Sequence, residues 1–417
     1  MIKVITYGTY DCLHYGHIRL LERAKALGDY LIVGVTSDDY DKTRGKINNK
    51  QSLMERISAI EATGLADEII VEEYEGQKID DVKRLGVDIF TVGSDWVGKF
   101  DYLNEYCKVV YLDRTQGVSS TDIRAKSRKC KVGVFGTGNV VTKFVNECGF
   151  VNGVEIVEDG FDAVYVATTP DTHYSLVKQY LNAGKHVLCE SPIAESVEEY
   201  EELLQLAQDR KLILMDGIKT AYATAYQRLL LLVQSGKIGE VVSVDSVCTS
   251  MSDFQDGSSF AGKWNSCCAW GPTAMLPIFQ ILGTNYKSKQ IVSSFIDGEK
   301  KFDGFTKIDF VYDKAVASIK VAKTAKSEGE LIITGTKGYI YVPAPWWKTD
   351  YFEVRYENVS ENKRYFYQLD GEGIRYEIVA FSKSIETGKN IGNINSEVSD
   401  AIVRVIEDIT RHKVIEI

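Results

Sequence analysis

Short apolar runs alternate with amphipathic segments along the first third of the chain. Four β-branched runs predict buried strands, at 2–6, 30–35, 87–92 and 109–112. Residues 18–27 carry apolar side chains at helical spacing, so the chain is predicted to pass from a strand through a tight loop into a helix. Another helix is predicted to begin at Ser52, because Glu55 occupies the capping-box position. This order indicates an α/β domain with an open sheet.

The same pattern returns later in the chain. Residues 131–141 again predict a strand, a glycine-rich loop and a helix, and they follow a charged linker at 122–129. Further apolar or alternating runs predict a second sheet, at 291–295, 307–312, 315–321 and 330–335. We therefore predict three domains, at 1–128, 129–218 and 219–417, the last with a C-terminal helix.

Composition narrows the classes of function. A chain of 417 residues, 44% hydrophobic and 26% charged, is typical of a globular protein with more than one domain. It has no apolar run of about 18 residues and no leader-like start, so we expect a cytoplasmic protein without a membrane partner. The eight cysteines lack a repeated spacing, which indicates free thiols. A net charge of -10 disfavours nucleic acid as a partner but permits a nucleotide substrate.

The loop before the first helix carries the strongest candidate chemistry. His14 and His17 are three residues apart, so both rings are expected on one face of the first helical turn. The free N–H groups and the dipole of that turn favour an anion such as a phosphate. The H-x-G-H arrangement predicts nucleotidyl transfer, in which the imidazoles stabilise charge on an α-phosphate while pyrophosphate leaves. The alternative is a helix start that happens to be polar.

Two further strand ends are candidates for ligand contact. Asp38 and Asp39 follow the second strand, where an open α/β sheet binds its ligand, although both residues could equally be helix caps. Ser119, Ser120 and Thr121 form another polar helix start, which either faces an anion or caps the helix without a ligand.

Residues 1–126 resemble the glycerol-3-phosphate cytidylyltransferases of the H-x-G-H nucleotidyltransferase superfamily. The likeness lies in the blocks 5–11, 16–18, 21–25, 93–101 and 114–121. The resemblance implies a Rossmann-like domain that transfers CMP from CTP, with Mg²⁺, to a small phosphorylated polyol or sugar. The product would be a CDP-activated precursor for a surface polysaccharide such as a capsule.

The resemblance also implies roles for individual residues. The residues expected to stabilise the transferring phosphate are His14, His17, Lys46 and Arg114. Those expected to bind the nucleotide are Thr9, Tyr10, Asp11, Arg44, Asp95, Trp96, Arg114, Thr115, Ser119, Ser120 and Thr121, with Asp11 also a ligand of Mg²⁺. Asp38 and Arg56 are expected to contact the substrate. A solvated loop remains the alternative for Arg44 and Lys46, and core packing for Trp96.

One position departs from that family. Gly64 lies where the family carries a second basic residue at the substrate end of a helix. Loss of a guanidinium would weaken binding of an acceptor phosphate. The acceptor is therefore glycerol 3-phosphate or something larger, such as a tetrose, pentose or hexose derivative.

Residues from 131 to the C-terminus resemble the Gfo/Idh/MocA oxidoreductases. The likeness lies in the blocks 161–173, 183–192, 236–240 and 371–377. Gly136 and Gly138 form a weakened dinucleotide fingerprint, because Val141 replaces the third small residue. The resemblance implies a truncated Rossmann-like domain, an α+β open-sheet domain of the kind that forms homo-oligomers, and a possible NAD(P) site.

This chain has different residues at the catalytic positions of the second family. Ser191 stands where the family has lysine, and Ala269 and Thr273 stand where it has aspartate and histidine. Residues 147–160 are too few for the second strand, helix and third strand of a dinucleotide-binding half, so we expect the strand with the ribose-binding carboxylate to be missing. Glu158 or Asp159 could replace that carboxylate. Lys219, Tyr222 and Tyr226 are candidate substitutes for the lost proton donors.

Two hypotheses for the whole chain follow. In the first, a cytidylyltransferase carries a non-catalytic module for oligomerisation or ligand binding. In the second, the chain is bifunctional, and its C-terminal part reduces a CDP-linked keto sugar with NAD(P)H bound at Gly136 and Gly138.

Overall fold

The chain forms two compact units, residues 1–128 (unit 1) and 129–417 (unit 2). A computed structural model describes residues 1–43, 51–74, 76–113, 130–151, 153–251, 263–367 and 369–417. No helix in these ranges is both long enough and apolar enough to cross a membrane.

Unit 1 is built on a parallel sheet whose strands stand in the order β3-β2-β1-β4-β5. The strands are β1 (Lys3–Gly8), β2 (Tyr30–Thr36), β3 (Glu68–Glu72), β4 (Ile89–Gly93) and β5 (Lys108–Leu112). The connection from β1 leads to β2 on one side, and the connection from the neighbouring β4 leads to β5 on the other. The carboxyl ends of β1 and β4 therefore lie at a topological switch point, where open α/β sheets bind ligands. The loop with the two histidines begins there.

Helices cover both faces of this sheet. They are α1 (Tyr15–Lys25), α2 (Asp38–Thr43), α3 (Leu53–Glu61) and α4 (Gln77–Leu85). Successive side chains of β1 point to opposite faces, so Val4 joins the core with α1 and α3 while Ile5 joins the core with α4. Ser52 caps α3 in the predicted capping box, with Glu55 as its partner.

Unit 2 contains a second parallel sheet, in the order β10-β9-β8-β6-β7. Its strands are β6 (Cys130–Gly136), β7 (Val154–Ile156), β8 (Ala163–Ala167), β9 (His186–Glu190) and β10 (Leu214–Gly217). The helices that belong to it are α5 (Asn139–Cys148), α6 (Pro170–Asn182) and α7 (Val197–Asp209).

The expectation that the second strand of this sheet is missing is wrong. Three residues are enough for β7, which pairs in parallel with β6 through Cys130 and Val154. The chain then returns directly to β8 on the other side of β6, so the shortened segment omits the crossover helix and the third strand instead. The Rossmann-like domain is therefore truncated, as the length of 147–160 predicted, but the strand that precedes Glu158 is present.

The rest of unit 2 is a large mixed sheet covered by helices. Among the described residues the order is β18-β17-β16-β15-β11-β14-β13-β12-β19. The strands are β11 (Val241–Thr249), β12 (Ser288–Phe295), β13 (Asp303–Val311), β14 (Val316–Ala322), β15 (Leu331–Gly335), β16 (Tyr339–Val342), β17 (Tyr351–Arg355), β18 (Lys363–Phe366) and β19 (Ile415–Glu416). The helices are α8 (Thr224–Gln234), α9 (Ser266–Leu282), α10 (Ile374–Thr387) and α11 (Ser396–Thr410). The predicted fold class, two Rossmann-like domains with an α+β open sheet, is confirmed.

Candidate functional site

His14 and His17 stack against each other at the start of α1. His14 is the N-cap of the helix, and its Nδ1 accepts a hydrogen bond of 3.4 Å from the backbone N–H of His17. The ring centroids lie 3.9 Å apart and the ring planes differ by 15°. The rings of Tyr10 and His17 pack in an edge-to-face arrangement, with their centroids 5.5 Å apart. Both imidazoles therefore lie on one face of the first helical turn, as their spacing predicted.

The loop before α1 is held in an unusual backbone conformation. Tyr10 and Cys12 have φ values of 54° and 50°, in the left-handed region that L-residues seldom occupy. Gln51 holds this loop from both sides: its Oε1 accepts from the Cys12 N–H at 2.8 Å, and its own N–H donates to Asp11 Oδ1 at 3.0 Å. The carboxylate of Asp11 is only 2% exposed. The loop is thus preorganised around Asp11 by Gln51, which directly precedes the N-cap of α3.

Arg56 is buried beneath the same loop. Its guanidinium donates to the carbonyl oxygens of Thr9 at 2.6 Å and Thr36 at 2.9 Å, and it forms an ion pair with Asp38. The side chain is fully buried, whereas that of Asp38 is 43% exposed. Arg56 thereby ties the histidine loop to the carboxyl end of β2. A direct contact of Arg56 with a substrate stays a prediction.

Another buried polar cluster lies beside β1 and was missed from the sequence. Lys78 forms an ion pair with Glu72 at the end of β3, and its ammonium lies 4.7 Å from the ring centroid of Tyr7. Tyr7 in turn donates to Asp81 at 2.9 Å, and burial together with that carboxylate raises the pKa of the phenol. Glu72 follows a short apolar run at 69–71, which was the signal for a strand end. The cluster positions a buried lysine close to the switch point.

Trp96 follows the end of β4, in a 3₁₀ turn that spans Ser94–Trp96. Its ring centroid lies 5.9 Å from that of Phe100, and the ammonium of Lys99 lies 5.4 Å from it. The indole is half-buried while Asp95 is exposed. Trp96 therefore packs against the core and also keeps part of its ring accessible at the strand end.

Seven predicted site residues lie outside the described ranges: Arg44, Lys46, Arg114, Thr115, Ser119, Ser120 and Thr121. Among the residues that the structure describes, no group of three or more His, Cys, Asp or Glu side chains is arranged to hold a metal ion. Asp11 supplies one carboxylate at the histidine loop, and Asp41 accepts a hydrogen bond of 3.0 Å from the Thr9 hydroxyl of the same loop. Mg²⁺ with one protein carboxylate and several phosphate oxygens is a common arrangement in nucleotide-binding sites.

In unit 2, the glycine-rich loop has the geometry of a dinucleotide-binding turn. Gly136 has φ 137°, and a Cβ there would lie 2.1 Å from the carbonyl oxygen of Ala167. Gly138 has φ 92°, precedes α5 directly and has no other residue within 4 Å of its Cβ position. Glu158 is exposed just beyond β7. The first glycine permits tight strand packing, and the second leaves the helix start open to a phosphate.

The two tyrosines proposed as substitute proton donors face inward. Tyr222 and Tyr226 are 4% and 5% exposed, and burial raises the pKa of each phenol well above its usual value. Tyr226 donates to the amide oxygen of Gln280 at 2.9 Å. Ser191 is also buried, after β9. These contacts give the two phenols a structural role in the core.

Three carboxyl groups with raised pKa values lie near the end of β9. Burial raises the pKa of Glu190 to about 7, even though the hydroxyl of Tyr165 donates to it and the charge of Lys219 opposes the shift. Burial likewise raises the pKa of Asp216 to about 6 and that of Glu377 well above its usual value. This group can hold or exchange protons near neutral pH.

Two models of known protein families match the chain, one within unit 1 and the other within unit 2. A model of the family described as "Cytidylyltransferase-like" matches residues 5–126. A model described as "Oxidoreductase family, NAD-binding Rossmann fold" matches residues 139–218.

Curated relatives align with unit 1 over nearly their whole length. The glycerol-3-phosphate cytidylyltransferase of Bacillus spizizenii is 50% identical over 124 residues, which are 30% of this chain and 95% of the relative. The enzyme of the same name from Staphylococcus aureus is 47% identical over 124 residues, 30% of this chain and 93% of the relative.

Solved structures align with unit 2. KijD10, a 3-ketoreductase from Actinomadura kijaniata in complex with NADP and TDP-benzene, superposes with a TM-score of 0.60 and 16% identity. The alignment covers 70% of this chain and 99% of that chain. An oxidoreductase from Agrobacterium radiobacter, in complex with NAD+, L-tartaric acid and magnesium, gives a TM-score of 0.56 at 17% identity, over 68% of this chain and 97% of that chain. At these identities the likeness establishes the fold alone.

Proposed function

Through unit 1 this chain belongs to the family of glycerol-3-phosphate cytidylyltransferases, with a Gfo/Idh/MocA oxidoreductase domain as unit 2, and from that premise we propose that unit 1 transfers CMP from CTP to a small phosphorylated polyol or sugar. The single observation that carries the proposal is the stacked pair of His14 and His17 on the first turn of α1. The helix start and the two rings together favour an anion at one point.

The transfer needs no protein nucleophile. A phosphate oxygen of the acceptor attacks the α-phosphorus of CTP, a new P–O bond forms, and the bond from that phosphorus to the bridging oxygen of pyrophosphate breaks. His14 and His17 donate to the oxygens on which negative charge increases, which stabilises the transition state. Lys46 and Arg114 are proposed to assist them. Mg²⁺, when bound with CTP, supplies further neutralisation of the triphosphate.

The acceptor end of the site is proposed to be more open than in the relatives. Gly64 follows α3 with φ 65°, and nothing lies within 4 Å of a Cβ built there. The aligned position in the family is basic, so the missing charge weakens the hold on a small acceptor phosphate and leaves room for a longer polyol or sugar. Glycerol 3-phosphate and its longer analogues are the proposed substrates.

The proposal is tested by release of pyrophosphate from CTP in the presence of a panel of acceptors: glycerol 3-phosphate, pentitol phosphates and hexose phosphates. In the sharpest variant, His14→Asn, the asparagine still caps α1 but the imidazole is gone. We expect the turnover of this variant to fall about 10² to 10³-fold. His412→Asn in unit 2 is the matched control and is expected to keep full activity. Full activity in His14→Asn, or no turnover with any acceptor, would contradict the proposal.

A second candidate function, binding of NAD(P) by unit 2, is favoured by the open Gly138 position and by β7. Gly138 would face the pyrophosphate, and Glu158 just beyond β7 would contact the ribose. When bound, the nicotinamide would supply a hydride for reduction of a keto sugar. In the absence of the family's lysine, Lys219 and the carboxyl group of Glu190 are the remaining candidates for the proton donor.

Fluorescence of NADPH on mixing with the protein tests this second function. Gly138→Ala is expected to weaken binding, because its Cβ would occupy the space that a pyrophosphate needs. Gly160→Ala, at another left-handed glycine with open space around it, is the control. Absence of any NADPH signal removes this function and leaves the cytidylyl transfer untouched. Cytoplasmic location and homo-oligomerisation also stay proposals.

A further inference from the structure

Three lysines from different parts of unit 2 converge on one carboxylate. The ammonium of Lys143 lies 2.8 Å from Oε1 of Glu372, and that of Lys348 lies 3.4 Å from the same oxygen. Lys219 forms an ion pair with Oε2. All four side chains are partly accessible, with between 23% and 37% of each exposed. We call this group the lysine cluster.

The backbone is shaped to place the carboxylate there. Glu372 has φ 53°, between Gly371 at 60° and Gly373 at 93°. A Cβ at Gly371 would lie 2.3 Å from the carboxylate of Glu147, and one at Gly373 would lie 2.1 Å from the carbonyl oxygen of Lys219. Three successive left-handed residues, one of them not glycine, are rare in a chain of L-residues and indicate a conformation kept for its effect on the side chain.

The charges of the cluster do not cancel. Three ammonium groups face one carboxylate, which leaves a formal excess of two positive charges. Glu190 and Glu377 also interact with Lys219, but burial raises the pKa of each, so each carries less than a full negative charge near neutral pH. Burial lowers the pKa of Lys348, and the charges of Lys143 and Lys219 lower it further against the opposing charge of Glu372. Glu147 does not relieve the excess, since Arg375 pairs with it at 2.8 Å.

The position of the cluster suits a ligand of unit 2. Lys143 lies on the second turn of α5, the helix that Gly138 opens. Lys219 follows β10 at the carboxyl edge of the parallel sheet, where α/β sheets bind their ligands. Lys348 ends a 3₁₀ turn, Trp346–Lys348, in the connection between β16 and β17 of the large sheet. A ligand at the cluster would therefore contact both the Rossmann-like part and the open-sheet part of unit 2.

We propose that the lysine cluster binds the phosphoryl group of an organic phosphate, and that Glu372 is an internal anion which holds the three lysines in place until that ligand displaces it. Ammonium groups on flexible stems suit a phosphate, which accepts several hydrogen bonds at once. The phosphate belongs either to a dinucleotide or to a CDP-linked product of the kind that unit 1 is proposed to make.

Calorimetric titration of the full chain with pyrophosphate tests the competition. Lys348→Gln is expected to weaken binding about tenfold, since one charge-assisted hydrogen bond is lost. Glu372→Gln keeps the shape of the side chain, removes the competing charge and is expected to strengthen binding by a similar factor. Lys389→Gln, an exposed lysine outside the cluster, is expected to leave the affinity unchanged. Binding of pyrophosphate in unit 1 adds the same background to every variant.

The opposite signs of the two changes separate this proposal from a merely structural cluster, because loss of structure would weaken binding in both variants. Equal affinity in Glu372→Gln and the unmodified chain overturns the proposal, and so does weaker binding in Glu372→Gln. Titrations with NADPH and with CDP-glycerol then identify the source of the phosphate. The natural ligand is the one that Glu372→Gln binds more tightly than the unmodified chain does. The rate of cytidylyl transfer is expected to be the same in all variants, so failure here leaves the function proposed for unit 1 intact.

Discussion

Substitution of Arg56 by methionine is expected to lower the free energy of unfolding of unit 1. The guanidinium makes hydrogen bonds of 2.6 and 2.9 Å to two backbone carbonyls and lies 4.0 Å from the fully buried Asp41. A hydrogen bond from a charged donor contributes about 1.5 to 3 kcal/mol, and breaking a buried ionic group costs about 3 to 5 kcal/mol in all. The pair with half-exposed Asp38 adds little. We therefore expect a loss of roughly 3 to 5 kcal/mol.

Hydrogen–deuterium exchange followed by mass spectrometry measures this loss within the full chain. Exchange of the peptides that cover β1 and β2 should accelerate by about 10² to 10³-fold or more, since each 1.4 kcal/mol corresponds to about a factor of ten. Peptides from unit 2 serve as the internal reference, and Asp38→Ala is the control with an expected cost below about 1 kcal/mol. If Arg56→Met leaves exchange unchanged but raises the KM for CTP or acceptor, the structural reasoning is refuted and Arg56 acts on a substrate.

Three further changes have defined outcomes. Ser52→Ala removes the capping box of α3 and should cost about 1 kcal/mol, seen as faster exchange of that helix alone. Gly136→Ala should destabilise unit 2 by about 2 kcal/mol or more, because the new Cβ would lie 2.1 Å from the carbonyl oxygen of Ala167, and an unchanged urea midpoint would exclude that clash. Folding raises the pKa of Glu190 from 4.5 to about 7, so unit 2 should become less stable as the pH rises from about 5 through 7. Glu190→Gln should reduce this loss of stability, and an unaltered dependence of stability on pH would contradict the assignment to Glu190.

Local patterns predicted much of unit 1. β1, the helix that follows it and the Ser52 cap depend on neighbouring residues, and all three were predicted from the sequence. β3 (Glu68–Glu72) and α4 (Gln77–Leu85) were missed, because β3 is short and partly exposed and α4 carries many charged residues. The strand β7 was ruled out by counting residues, although three residues suffice when the crossover helix is absent.

Contacts between distant residues could not be predicted from the sequence. Lys143 and Glu372 are 229 residues apart, and no local pattern connects them. Arg56 was expected to contact the substrate on the basis of the family resemblance, and no local pattern indicated that its guanidinium also donates to the carbonyl oxygens of Thr9 and Thr36. In both cases the tertiary packing decides which charge a basic side chain meets, and only the folded chain shows it.

The cap of α1 has a consequence for the chemistry of the first imidazole. A backbone N–H can only donate, so Nδ1 of His14 must offer a lone pair to His17. The neutral ring then carries its hydrogen on Nε2, on the side away from the helix. Formation of the helix thus favours one tautomer in advance, and a proton on Nδ1 would remove the hydrogen-bond acceptor that caps the start of α1.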